Sequence, residues 1–125
     1  LIHLDTSFLI GGLVPGSDRD GRLREWLRSG ETLGISAVAW AEFLCGPVAP
    51  DQVRLAQRFV EARIPLTEED AVHAAALFNG SGRRRGSLVD CLIAATAVRR
   101  DATLATANPA DFRRLRVDGL RIVEA

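Results

Sequence analysis

The feature that most constrains this chain is the alternation of short apolar runs with longer stretches of helical periodicity. Runs at residues 1–5, 32–35, 64–66, 103–106 and 120–123 read as strands, and the segments between them are too long for hairpins. Thr6 and Ser7 start a first helical piece that Gly11 and Gly12 close, and Ser17 and Asp18 precede a stretch whose Leu23, Trp26 and Leu27 share one face. Ser36 precedes an apolar helix, Ala37–Cys45, that Gly46-Pro47 stops, and residues 51–62 carry Val53, Leu55, Ala56, Phe59 and Val60 at helical spacing. Thr67 and the acids behind it open a helix through residues 71–78, Ser87 caps one over 88–100, and Asn108-Pro109 starts a short one reaching Phe112. Residues 80–86, bounded by glycines, form a loop. Parallel strands need such crossovers, so the pattern predicts an α/β fold with one parallel sheet of four to five short strands flanked by helices. With 125 residues there is room for one core, hence a single domain over residues 1–125.

Sixteen basic and sixteen acidic residues balance, which argues against a protein that coats nucleic acid through bulk charge, so any nucleic-acid contact must be local. All sixteen of those bases are arginine, and a chain without lysine has neither a Schiff-base lysine nor the lysine of a phosphate-cradling loop. No apolar run approaches the roughly 18–20 residues of a membrane span, and no charged-then-apolar leader opens the sequence, so a soluble, cytoplasmic protein is expected. Cys45 and Cys91 lie far apart in apolar helical pattern and are expected to be reduced core thiols. His3, in a strand, and His73, on a helix, are expected to be structural.

The informative acids are those whose neighbours predict burial. Asp5 ends a strand, and in parallel α/β sheets ligands bind beyond the carboxyl ends of strands; the alternative is a carboxylate that only caps the next helix. Glu42 lies in a helix otherwise apolar or small, where an acid is costly unless paired, metal-bound or turned to water. Asp90 is surrounded by apolar residues, with small Ala94 and Ala97 along its own helical face; the competing explanation is a first-turn acid favoured by the helix dipole. After the fourth strand, Thr106, Asn108 and Asp111 present hydroxyl, amide and carboxylate much as Thr6 and Ser7 follow Asp5, and taken alone Asn108 is a cap and Asp111 a first-turn acid. Carboxylates that converge would take up protons unless a divalent cation keeps them ionised. Oxygen donors suit Mg²⁺ or Mn²⁺, ions that act on phosphate esters, whereas zinc favours His and Cys ligands that are scarce here.

These motifs, Asp5-Thr6-Ser7 after a strand, Ala41-Glu42 in a helix, Asp90-Cys91-Leu92-Ile93-Ala94-Ala95, and Thr106-x-Asn108-x-x-Asp111-Phe112, resemble in order and setting the PIN domain, and within it the VapC toxins of bacterial toxin–antitoxin pairs. The resemblance spans nearly the whole chain. It implies a three-layer α/β domain and an endoribonuclease using one or two Mg²⁺ or Mn²⁺ ions, leaving 5′-phosphate and 3′-hydroxyl ends and neutralised by a VapB-type antitoxin. Carried across by residue, Asp5, Glu42 and Asp90 match the acidic triad, and Asp111 with Asn108 in support supplies the fourth corner. Asp5 and Asp90 are then expected to bind metal directly, with Glu42 and Asp111 directly or through waters, and Thr6, Ser7 and Thr106 to position water or phosphate. Arg83, Arg84 and Arg85, between glycines just ahead of Asp90, are candidates for guiding the RNA backbone or else a solvated loop. Trp40, Phe43, Leu44 and the Phe59 face suggest a homodimer and an antitoxin groove, with core packing as the alternative.

Rival chemistries fit less well. An aspartyl phosphotransferase of the haloacid-dehalogenase type also opens with a strand-end Asp, but it wants a second acid two residues on and a lysine, and this chain has Ser7 and no lysine. A receiver domain fails on the same lysine. A PIN fold that has lost activity and serves as an RNA- or protein-binding module stays open because Asn108 carries no charge.

Overall fold

The computed structural model describes residues 1–124. In chain order these form β1 (Ile2–Leu4), α1 (Thr6–Gly12), α2 (Asp18–Arg28), β2 (Leu33–Ser36), α3 (Ala37–Cys45), α4 (Pro50–Phe59), β3 (Ala62–Ile64), α5 (Glu68–Gly80), α6 (Leu88–Arg99), β4 (Thr103–Thr106), α7 (Pro109–Arg113) and β5 (Arg121–Glu124). The sheet is wholly parallel, in the order β3-β2-β1-β4-β5. The chain winds outward from β1 through β2 to β3, then crosses back to lay β4 and β5 on the opposite side of β1. That reversal opens a crevice between the carboxyl ends of β1 and β4, the place where sheets of this kind bind ligands.

Strand interiors and helix faces meet in one core. Leu4, Leu33, Ile35 and Leu104 from the strands pack with Phe8, Leu9, Phe43, Ile93 and Phe112 from the helices, all fully buried. Several expected caps are present: Ser17 accepts from the Asp20 amide, Ser36 from the Ala39 amide, and Thr67 and Asp70 form a reciprocal capping box. No helix among the described residues is long and apolar enough to cross a membrane.

Local expectations shift in several places. The third strand is Ala62–Ile64 rather than 64–66, because Pro65 has no N–H to extend the ladder, and α4 stops at Phe59 so that extended Val60 can bury its side chain. The last strand lies one residue later than expected, and α5 continues to Gly80. Ser87 occupies the start of α6 in a helical conformation, and its hydroxyl donates to the Arg84 carbonyl instead of capping. Cys91 is a buried thiol as expected, but Cys45 is exposed: α3 buries Ala39 and Phe43, one turn apart, and Cys45 falls on the opposite face beside exposed Leu44. Phe43 is core and packs at a tilt against Trp40, ring centroids 5.3 Å apart, with the Arg63 guanidinium over the Trp40 ring.

Candidate functional site

β1 delivers Asp5 to the crevice mouth, where it is 6% exposed. Its Oδ2 accepts from the Ser7 hydroxyl at 2.7 Å and from the Thr106 hydroxyl at 2.8 Å. Each hydroxyl is itself oriented by a backbone amide: Ala107 N donates to Ser7 Oγ at 3.1 Å, and Asn108 N to Thr106 Oγ1 at 3.0 Å. With its acceptor side engaged, each hydroxyl directs its single proton at Asp5. The end of β4 is thereby tied to the end of β1 through the carboxylate itself. Asn108 serves this relay through its main chain; its side chain is exposed and makes no capping bond at the start of α7.

Thr6 is turned toward the other neighbour. Its Oγ1 lies 3.0 Å from the Ala39 carbonyl and 3.0 Å from Glu42 Oε1, holding exposed Glu42 of α3 beside the start of α1. Asp90, in the first turn of α6 and half-buried, completes the approach. Burial, followed by the charges of Asp5, Asp111 and Glu42, pushes its carboxyl up from 3.8 to about 6. Three other acids from three separate elements therefore act on one side chain, and the four carboxylates share a region although residues 5 and 111 stand at opposite ends of the sequence. Among the described residues no three His, Cys, Asp or Glu side chains make a ready-formed metal cage. The donors nonetheless fit a hard cation, since all are carboxylate oxygens, their mutual repulsion is uncompensated at Asp90, and Mg²⁺ needs only one or two carboxylates with waters.

A cavity of about 140 Å³ adjoins the acids, lined by Arg84, Arg85, Asp90, Asp111 and Arg114 among others. Arg84 and Arg85 line this cavity together, whereas Arg83 turns back over the Phe78 ring and bonds Asn79 Oδ1. Asp111 lines this cavity and Asn108 does not. Arg114 was missed in the sequence; its only signal is a position three residues after Asp111, one helical turn on. A second, more apolar cavity of about 340 Å³ lies between α1, α2 and α4, lined by Leu13, Leu23, Leu27, Leu55, Arg58 and Phe59 among others.

A parallel α/β domain with acids gathered at the carboxyl edge of its sheet, where the strand order reverses, is the class these observations define. The chain belongs to the PIN domain family, whose model matches residues 2–118. No curated protein matches the sequence. Among solved structures the chain is similar to VapBC2 from Rickettsia felis bound to a DNA fragment from its promoter, at a TM-score of 0.79 and 22% identity, covering 100% of this chain and 99% of that one. It is also similar to DNA-bound VapBC from Salmonella typhimurium (TM-score 0.74, 23% identity, 98% and 96% covered) and to VapBC-1 from nontypeable Haemophilus influenzae (TM-score 0.74, 24% identity, 99% and 98% covered).

Proposed function

We propose that this protein is a metal-dependent endoribonuclease of a toxin–antitoxin pair, hydrolysing RNA phosphodiesters with Mg²⁺ or Mn²⁺ and held inactive by a VapB-like partner. The observation that carries the reading is the convergence of Asp5, Glu42 and Asp111 on Asp90, whose carboxyl is pushed up first by burial and then by those three charges. Asp5 and Asp90 would hold the ion directly, and Glu42 and Asp111 directly or through waters. The chemistry such a cation supplies is the acidification of water and the neutralisation of charge on the departing oxygen.

The chain's own side chains do the positioning. The Ser7 and Thr106 hydroxyls fix one oxygen of Asp5, so the carboxylate enters the site already oriented. Thr6 holds Glu42 less firmly, since its one hydroxyl proton is shared with the Ala39 carbonyl. Arg84 and Arg85 bring positive charge to the approach of an RNA strand. The toxin assignment is supported by the VapBC complexes that share the fold, and the apolar groove between α1, α2 and α4 supports a protein partner in addition to RNA. A homodimer belongs to the same proposal.

The deciding experiment incubates the purified protein, free of antitoxin, with tRNA, rRNA and mRNA in Mg²⁺, in Mn²⁺ and in EDTA, and sequences the cut ends. Cleavage that requires the metal and leaves 5′-phosphates is expected. Asp5→Asn and Asp90→Asn should each slow it by more than the roughly 10- to 100-fold typical of a ligand's supporting partners. Binding of RNA without metal-dependent cleavage would mark the chain instead as a binding module.

A further inference from the structure

Arg114 sits at the carboxyl end of α7, and its Nη2 is 3.8 Å from Asp111 Oδ1. That separation exceeds a hydrogen bond, and with side chains 44% and 48% exposed the pair is loose. Asp111 therefore aims the guanidinium without immobilising it. Across the 140 Å³ cavity stand Arg84 and Arg85, carried on a loop in which Ser87 Oγ donates to the Arg84 carbonyl and Gly86 takes a left-handed turn at φ 85°. Neither of these two side chains enters an ion pair among the described residues. In the lining of this cavity three guanidiniums stand with two carboxylates, Asp90 and Asp111, so positive charge lies directly beside the acids.

We infer that Arg114, with Arg84 and Arg85, forms a binding site for a backbone phosphate next to the one being cut, so that productive RNA must carry a charged phosphodiester at one fixed position beside the cleavage point. The inference rests on the ribonuclease function proposed above. Guanidinium forks match phosphate oxygens in pairs, and a phosphate seated here exchanges with Asp111 as the partner of Arg114. Arrival of RNA would free the Asp111 carboxylate from Arg114, beside Asp90. Arg114 is then a positioning residue that links the hold on the strand to the completion of the acidic site.

The test uses oligoribonucleotides with a single cut site in which one phosphate at a time is replaced by a neutral methylphosphonate. At one linkage beside the cut, the replacement should raise the wild-type KM about tenfold, the size of one charge-assisted hydrogen bond. Arg114→Ala should bind the all-phosphate substrate about tenfold more weakly and lose nothing more from neutralising that linkage. Equal losses in wild type and variant, or no sensitive linkage, would overturn the inference. An all-phosphate copy held in EDTA, where metal-dependent cleavage stops, reads the site without catalysis: Arg114→Ala should weaken its binding about tenfold and lower its salt dependence by about one phosphate contact. Unchanged binding would also overturn the inference. Wild-type protein that holds this copy through Arg114 yet cuts no RNA when Mg²⁺ or Mn²⁺ is supplied would refute the ribonuclease proposal and leave the phosphate site standing.

Discussion

Asp90 pays for its place among the other acids in stability. Its carboxyl is pushed up to about 6, first by burial and then by Asp5, Asp111 and Glu42, so folding favours the protonated form. The stabilisation this provides is complete below about pH 3.8 and is lost as pH rises through about 6. In EDTA at pH 7.5, Asp90→Asn should therefore be more stable than wild type by about 1–2 kcal/mol, the full shift being reduced by solvent screening at a half-buried carboxyl, and the difference should vanish in acid. Denaturant titrations at the two pH values check this, and added Mg²⁺ should narrow the gap by restoring the wild type. A variant no more stable than wild type at pH 7.5 would show that the four charges do not meet. In the sequence, Asp5 and Asp90 were legible from their apolar surroundings. Asp70 was not: it is only 1% exposed, yet it reads as an ordinary first-turn acid because its partner, Arg99, lies 29 residues away.

That pair binds α5 to α6. Arg99 Nε donates to Asp70 Oδ1 at 2.8 Å and Nη2 to Oδ2 at 2.9 Å, while Nη2 also reaches the Pro65 carbonyl. Burial drives the Asp70 carboxyl upward, but the Arg99 and Thr67 hydrogen bonds more than offset it, and the group ends below its ordinary range. Arg99→Ala leaves a buried carboxylate unpaired and should cost about 3–5 kcal/mol, read as a lower denaturation midpoint. Adding Asp70→Asn should recover part of that loss; a further loss would contradict the pairing. Element identity was legible wherever periodicity ran long, as in α3 and α6. Boundaries were less so, since the α4–β3 junction is decided by Val60 reaching the core and by Pro65, and Ser87 chooses a carbonyl over a cap for reasons set by the loop before it.

Across the whole molecule, β1 is the hub, and His3 is buried at its centre with both ring nitrogens unpartnered. Burial, then the charges of Arg100, the amino terminus and Arg99, lowers its pKa from 6.5 to about 4. The stability it supplies is present above 6.5 and is lost as pH falls through about 4, up to about 3 kcal/mol. His3→Leu should remove that acid step from the denaturation profile without stranding a hydrogen-bond partner; persistence of the step would assign it to another group. The ring also explains Gly34 on the neighbouring strand, where a Cβ would stand 3.1 Å from His3 Cδ2. The parallel topology was legible from spacing alone, but strand order was not, because which side of β1 receives β4 leaves no mark on local pattern.

The tie between Asp5 and Thr106, 101 residues apart, bears on how the chain is made. During translation Asp5, at the end of β1, leaves the ribosome 101 residues ahead of Thr106, and its carboxylate has no orienting hydroxyl from β4 until the fourth strand has emerged. Until then only Ser7, two residues on in the same strand-to-helix junction, can reach the carboxylate. The acidic edge of the sheet is thus completed only after β4 has joined β1, late in the assembly of the domain.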